Sequence, residues 1–175
     1  MTANSTPPRP RPPSRAETGF LLLFHAVLSG AFLVAYLTGD EDTYGMHLFA
    51  GYTVLAALGV RLTAALRAPP GSPLALPRPA ASPTVTWLRR LAMGERQALR
   101  ARSPLYAWMA LAMLVFTALV AASGWVADRT PSVEELHEAV AALTPAVIIA
   151  HVAIAAALHW LRRLATAREA AAAAG

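Results

Sequence analysis

The sequence predicts an all-α integral membrane protein, a four-transmembrane-helix bundle with an interfacial helix in the loop between helix two and helix three. Hydrophobic residues make up 56% of the 175 residues and charged residues only 14%, whereas a soluble domain usually has about a quarter charged residues. Four apolar stretches each approach the roughly 20 residues that a transmembrane helix needs. The basic residues are all arginine, and they flank these stretches.

Helix one is predicted within the apolar run from Phe20 to Thr38, which covers about 19 residues and is too long for the hydrophobic region of a signal peptide. Residues 1–17 are rich in Pro, Ser, Thr and Arg without apolar periodicity, so a disordered tail is expected there. Residues 164–175 are of low complexity and are expected to fray. The membrane domain is therefore placed at residues 18–163.

Helix two is predicted from Met46 to about Leu66, and helix three from Pro104 to about Ala127. Between them, the proline-rich stretch at 68–83 is expected to be non-helical. Residues 84–102 then combine an apolar face with several arginines and one glutamate. This segment is too charged to span a bilayer, so we expect an interfacial helix.

Helix four is predicted as one long helix from Val133 to Arg163, with His137 and His151 fourteen positions apart. Fourteen positions are close to four helical turns, so both imidazoles should point to nearly the same face, roughly 21 Å apart along the axis. Pro145 lies between them and should kink the helix.

The placement of arginine predicts the orientation of the chain in the membrane. Thirteen of the 15 arginines lie in the two terminal segments and the long middle loop, with Arg61 inside helix two and Arg129 in a short loop. Acidic residues concentrate in the two short loops and the start of helix four. Because loops rich in arginine stay in the cytoplasm, both termini should be cytoplasmic.

The absence of cysteine narrows the chemistry of any cofactor site. Disulfides, c-type haem attachment, iron–sulfur clusters and thiolate-ligated haem are excluded in this chain. A formal net charge of +5 is also found in proteins that bind nucleic acid. Here the arginines flank apolar segments, so membrane orientation explains them better. No nucleic-acid partner is expected. The apolar helices are expected to be surrounded by membrane lipid.

Each histidine inside a predicted span is a candidate site residue, because ionisable groups in a membrane are rare and costly; the alternative is a hydrogen-bonded core or interfacial histidine. Helix positions put His47 and His137 near the outer face. They put His25 and His151 together at an inner level, roughly 20 Å deeper. His159, beside Trp160, falls at the cytoplasmic rim and is interpreted as interfacial.

Two histidine pairs at two depths fit two bis-histidine haems, since zinc or copper usually needs three or four clustered ligands. A planar macrocycle also needs small residues where it meets a helix backbone. Gly30 and Gly51 follow His25 and His47 by five and four positions. Gly59 and Gly124 are further candidates, although small residues also mediate ordinary helix packing in membranes.

The segments GMHLFAGYTVLAALGVRL, ELHEAVAAL, AHVAIAAALH and FLLLFHAVLSGAFLVAYLTGD resemble helices two, four and one of bacterial di-haem membrane cytochromes b. That group includes the cytochrome b-561 type and the cytochrome b subunits of nickel–iron hydrogenases. The resemblance implies two haems b, with His25/His151 and His47/His137 as the axial ligands of the haem irons. Ala26 stands where the family usually has an aromatic residue.

The resemblance implies transmembrane electron transfer between a periplasmic redox partner, such as a cytochrome c or a dehydrogenase or hydrogenase subunit, and quinone. Whether a quinone oxidoreductase activity or a homodimer is involved stays open. The alternative is a non-haem membrane protein that uses the histidines for metal or proton transport, or a scaffold subunit. Arg61 has two interpretations: its side chain reaches the cytoplasmic headgroups, or it binds a propionate of the inner haem.

Overall fold

The computed structural model describes residues 12–95, 97–98 and 103–174. Every regular element in these ranges is a helix. Short 3-10 turns at Glu41–Thr43 and Pro131–Val133 lead into two of them. The helices are α1 (Arg15–Leu37), α2 (Tyr44–Arg67), α3 (Ala81–Ala92), α4 (Leu105–Ala127), α5 (Glu134–Ala141) and α6 (Thr144–Ala174).

Four helical segments among the described residues are long and apolar enough to cross a membrane. They are α1, Glu41–Arg67, α4 and Pro131–Ala167, the last of which includes α5 and most of α6. Large apolar side chains along them are exposed, with Leu22 at 67% and Phe49 at 77%, as is typical of helices that lipid covers. The predicted set of four apolar helices is confirmed, and it indicates a membrane protein.

The first of two compact units contains the residues up to Leu76 together with Thr117–Ala141. In this unit α1 packs against α2, and the short turn that joins them makes the two helices antiparallel neighbours. Thr38 closes the end of α1 by donating from Oγ1 to the carbonyl of Val34, at 2.6 Å.

Helix α1 begins at Arg15, inside the segment where a disordered tail was expected. Ser14 accepts a hydrogen bond from the Glu17 amide at 3.2 Å, and Glu17 accepts one from the Ser14 amide at 2.9 Å. This reciprocal capping box satisfies two amides that the helix itself leaves open. Glu17 is buried, so ordered structure starts before residue 18; residues 1–11 of the expected tail lie outside the described ranges.

The long last helix predicted from Val133 to Arg163 is interrupted at residues 142–143, where α5 ends and α6 begins. Pro145 explains the break, because it has no N–H for the carbonyl of Ala141 and its ring clashes with that carbonyl. In the first turn of α6 the missing N–H costs nothing. The same-face argument for His137 and His151 assumed a continuous helix, so it no longer applies.

The helix in the middle loop is shorter and starts earlier than predicted. It spans Ala81–Ala92, so its first turn takes in Pro83 from the stretch expected to be non-helical, since proline is tolerated in a first turn. The chain reverses at Gly94, whose φ of 72° lies in the left-handed region, which glycine adopts without strain. Position 96 and residues 99–102 of the predicted helix lie outside the described ranges.

The second compact unit contains Pro77–Phe116 and the residues from Ala142 onward. Its core is built around Trp87, Ala98 and Leu158, and the Trp87 indole donates to the Ala98 carbonyl at 2.9 Å. Helix α6 continues to Ala174, through the segment that was expected to fray, because alanine has the highest helix propensity.

Candidate functional site

The imidazoles of His47 and His137 lie side by side in the first unit, with ring centroids 6.1 Å apart and planes inclined by 70°. His47 is in the first turn of α2, and His137 is in the short helix α5. Both side chains are half-buried. The structure therefore brings together the two histidines that the sequence had placed near the outer face.

His47 is oriented by the end of the neighbouring helix. Its Nδ1 lies 2.8 Å from the carbonyl oxygen of Ala35 in α1. A carbonyl oxygen only accepts, so this contact requires the proton on Nδ1 and leaves the lone pair on Nε2. The ring of Tyr44 stacks on the imidazole, with centroids 6.0 Å apart. The imidazole is thus held with Nε2 available as a ligand.

His137 has the same tautomer for a different reason. Its Nδ1 lies 3.1 Å from Oγ of Ser123 in α4. The Ser123 hydroxyl donates its proton to the Val120 carbonyl at 2.9 Å, so towards the imidazole its oxygen acts as the acceptor. The proton of His137 is therefore on Nδ1, and its Nε2 also keeps a lone pair.

The backbone of α4 forms one wall beside His137. A Cβ built on Gly124 would lie 2.9 Å from Cε1 and 3.3 Å from Nε2 of that imidazole, which is too close for any side chain. From the sequence, Gly124 was a candidate position for the close approach of a macrocycle, and no protein partner was predicted for it. Ser123 and the Ala35 carbonyl were missed, because a serine or a main-chain oxygen on another helix carries no recognisable sequence signal.

The 6.1 Å between the ring centroids is close in length to the separation of two imidazoles that ligate one metal ion. Two metal–nitrogen bonds of about 2 Å, plus about 1 Å from each nitrogen to its ring centre, give about 6 Å between centroids. Ligating histidines commonly donate their other ring N–H to a carbonyl or polar oxygen, as both do here. Within the described part of the chain, no three His, Asp or Glu side chains group as metal ligands.

A polar cluster lies one helical turn beyond Gly124, at the end of α4. The hydroxyl of Tyr52 donates to the Asp128 carboxylate at 2.9 Å, and Arg129 donates to the same hydroxyl at 3.1 Å. The Arg129 guanidinium also lies over the Trp125 ring, 4.5 Å from its centroid. This cluster connects α2 to the end of α4. These are the helices that carry His47 and Gly124.

The other predicted histidines lie on α1 and α6, and each is described within its own unit. His25 is exposed on α1 in the first unit, while His151 is half-buried and His159 exposed on α6 in the second. Ligation by His25 and His151 therefore remains a prediction. A Cβ on Gly30 or Gly51 would meet no atom within 4 Å, so no protein contact requires glycine at either position.

Arg61 has partners that the sequence did not suggest. It is buried, at 5% exposure, and its guanidinium donates to the carbonyls of Leu74 at 2.6 Å and Ala75 at 3.5 Å. Two residues earlier in the same loop, Ser72 donates to the Glu17 carboxylate at 2.6 Å. Arg61 thus anchors the proline-rich loop to α2, and its predicted reach to the cytoplasmic headgroups stays a prediction. Its predicted contact with a propionate stays a prediction.

The chain matches no protein-family model, no curated protein and no solved structure. The resemblance to di-haem cytochromes b accordingly depends on the helix motifs and on the histidine pattern themselves.

Proposed function

We propose that this chain is a transmembrane electron-transfer protein that binds two haems b. His47 and His137 would be the axial ligands of the outer haem, and His25 and His151 those of the inner haem. The observation that carries the proposal is the His47–His137 pair, with ring centroids 6.1 Å apart and both Nδ1 atoms engaged elsewhere. The second pair rests on the sequence pattern and the resemblance.

The residues around the outer pair fit an axially ligated haem. Both Nε2 atoms have the lone pair that a metal needs, and the Ala35 carbonyl and Ser123 hydroxyl hold the rings in that tautomer. When bound, haem b would supply reversible one-electron chemistry at its iron. Two protein ligands leave no open position on the iron, which favours electron transfer over oxygen binding. Gly30 and Gly51 are proposed as positions where a macrocycle edge can approach α1 and α2.

The membrane arrangement is part of the same proposal. The four spans would form a bundle in a bacterial inner membrane with both termini in the cytoplasm, and α3 would lie at the cytoplasmic interface. Arginine distribution supports this orientation. Electron exchange with a periplasmic redox protein on one side and with quinone on the other follows from the resemblance to the cytochrome b family.

Haem content and spectra of the purified protein test the proposal. Wild type is expected to contain two haems per chain by pyridine haemochrome, with a sharp α-band on reduction. His47→Ala or His137→Ala should each remove one haem and leave the other spectrally intact. His159→Ala is the matched control, because that side chain is exposed on α6, and it should retain both.

Two outcomes would count against the proposal. A colourless wild-type protein would remove haem altogether and leave metal or proton transport, or a scaffold role, for the histidines. Loss of haem in His159→Ala as complete as that in His151→Ala would show that the inner ligands are assigned wrongly.

A further inference from the structure

The second unit has a groove alongside α3, with a mostly apolar lining and a row of polar side chains, that the proposed electron-transfer function does not use. Its volume is about 460 Å³, within the range of small-ligand sites. Trp87 lies in the groove with its indole N–H bonded to the Ala98 carbonyl. The lining residues are Ser82, Pro83, Thr86, Trp87, Arg90, Gln97 and Ala98.

Three polar residues form a stripe along this groove. Ser82, Thr86 and Arg90 follow one another at intervals of four positions in α3, so they share one face of the helix. The stripe offers two hydroxyls and a guanidinium, which are the donors that bind phosphate oxygens. A carboxylate oxygen of Glu95 lies 3.8 Å from Nε of Arg90, so an acidic side chain already pairs with the guanidinium of the stripe.

Charge also favours an anionic ligand. Between Ala68 and Ser103 the sequence contains six arginines and one acidic residue. Segments this basic at a membrane surface attract anionic lipid. Single surface charges give little affinity by themselves, so a defined groove with hydroxyl donors is what distinguishes this place from the rest of the loop.

The contacts of α3 put the groove at the end of a membrane span. Trp108, in the first turn of α4, donates its indole N–H to Oγ1 of Thr84 at 3.1 Å. Leu105 and Tyr106, also at the start of α4, pack against the Trp87 core. If α4, one of the candidate spans, crosses a membrane, its start and the adjoining α3 would lie at the level where a span leaves the apolar layer and lipid phosphates begin.

The groove also has apolar lining for the rest of a lipid. Pro83, Trp87 and Ala98 line it together with the polar stripe. Val85 and Leu88 are exposed on another face of α3, and an amphipathic helix with exposed apolar residues and arginines is typical of the membrane interface. A phospholipid bound in the groove would place its phosphate against the stripe and the start of its acyl chains against the apolar lining.

We propose that this groove is a binding site for the phosphate headgroup of an anionic membrane phospholipid, held by Arg90, Thr86 and Ser82. The site is independent of haem: it belongs to the second unit and uses none of the histidines. Its occupant is a membrane lipid, because α3 packs against the start of a candidate span and the groove combines apolar lining with the polar stripe.

Native mass spectrometry of the full-length protein with added phosphatidylglycerol or phosphatidylcholine tests this. Wild type should retain phosphatidylglycerol in preference to phosphatidylcholine. Arg90→Gln should weaken phosphatidylglycerol binding at least about tenfold, as expected for the loss of a charge-assisted hydrogen bond to phosphate. Thr86→Val should weaken it less, and Glu95→Gln should strengthen it by removing a competing carboxylate.

Arg89→Gln is the matched control, because it removes the same charge from the neighbouring residue, which does not line the groove. Its binding should fall by no more than about fivefold, which is the effect of one arginine near an anionic surface, and by clearly less than in Arg90→Gln. An equal loss in Arg89→Gln, or no lipid preference in wild type, would overturn the proposal. Displacement of the lipid by millimolar inorganic phosphate alone would identify a free anion as the ligand instead. If Arg90→Gln fails to fold, unchanged binding in both Thr86→Val and Glu95→Gln would still overturn it.

Discussion

Gly124 in α4 lies directly against the imidazole of His137, so that a Cβ at position 124 would be 2.9 Å from Cε1 of the ring. Contacts this short do not occur between real side chains, and the opposing atoms belong to a ring with few alternative rotamers. The absence of a side chain at position 124 therefore leaves room for the imidazole of His137 at its place 6.1 Å from His47.

Gly124→Ala is expected to displace His137 and to cost the outer haem. Purified protein should then hold about one haem per chain instead of about two, with the inner α-band unchanged. Gly19→Ala is the matched control, since a Cβ there meets nothing within 4 Å, and it should bind haem as wild type does. If Gly124→Ala kept full haem content and an unshifted spectrum, the ring would not be fixed by this contact.

Ser123→Ala should weaken the outer site without removing a ligand. The substitution takes away the oxygen that accepts from Nδ1 of His137, so the ring no longer has a fixed tautomer or orientation. Loss of such a supporting hydrogen bond typically costs roughly 10- to 100-fold in metal affinity, which haem transfer to apomyoglobin can measure. Thr63→Val removes a hydroxyl that donates to its own helix, to Gly59, and should leave haem affinity unchanged.

Substitutions of Arg61 separate its observed contact from its predicted one. Arg61→Gln removes the charged donor to the Leu74 and Ala75 carbonyls, a loss of about 1.5–3 kcal/mol for a hydrogen bond to a charged group. Its thermal midpoint should fall, and amides in the proline-rich loop should exchange faster with deuterium. Arg61→Lys restores the charge but not the two-pronged donor, so it should recover only part of this stability.

A redox titration of the same variants tests whether Arg61 also acts on the inner haem. A nearby positive charge favours the reduced state, so Arg61→Gln should lower the potential of the inner haem only, and Arg61→Lys should largely restore it. A titration that stays unchanged in Arg61→Gln, together with a destabilised loop, would make Arg61 an anchor of the loop and nothing more.

Reporter fusions test the orientation that the arginines predict. Fusions after Arg96 and after Arg168 should both report the cytoplasm, and a fusion after Asp42 should report the periplasm. The reason is that thirteen of the 15 arginines lie on the side assigned to the cytoplasm. A periplasmic signal from the Arg96 fusion would reverse the orientation, and the outer and inner histidine levels would exchange.

The sequence by itself determined which segments are helices of membrane-spanning length. Apolar composition over about 20 residues is a local property, and α1, α2 and α4 begin and end within a few residues of the predicted positions. Local patterns were less reliable where propensities compete. Pro145 was expected to kink a helix and separates two helices, and the alanine-rich end stays helical to Ala174.

Only the tertiary structure decided how the candidate site is built. His47 and His137 are 90 positions apart in the chain, and their depths in the predicted helices indicated a common level but no contact. The atoms that fix their tautomers, the Ala35 carbonyl and the Ser123 hydroxyl, belong to two other helices. Arg61 likewise found its partners in main-chain carbonyls of a loop. Such partners have no side-chain signature, because any residue provides a carbonyl, so only the packing of the helices selects them.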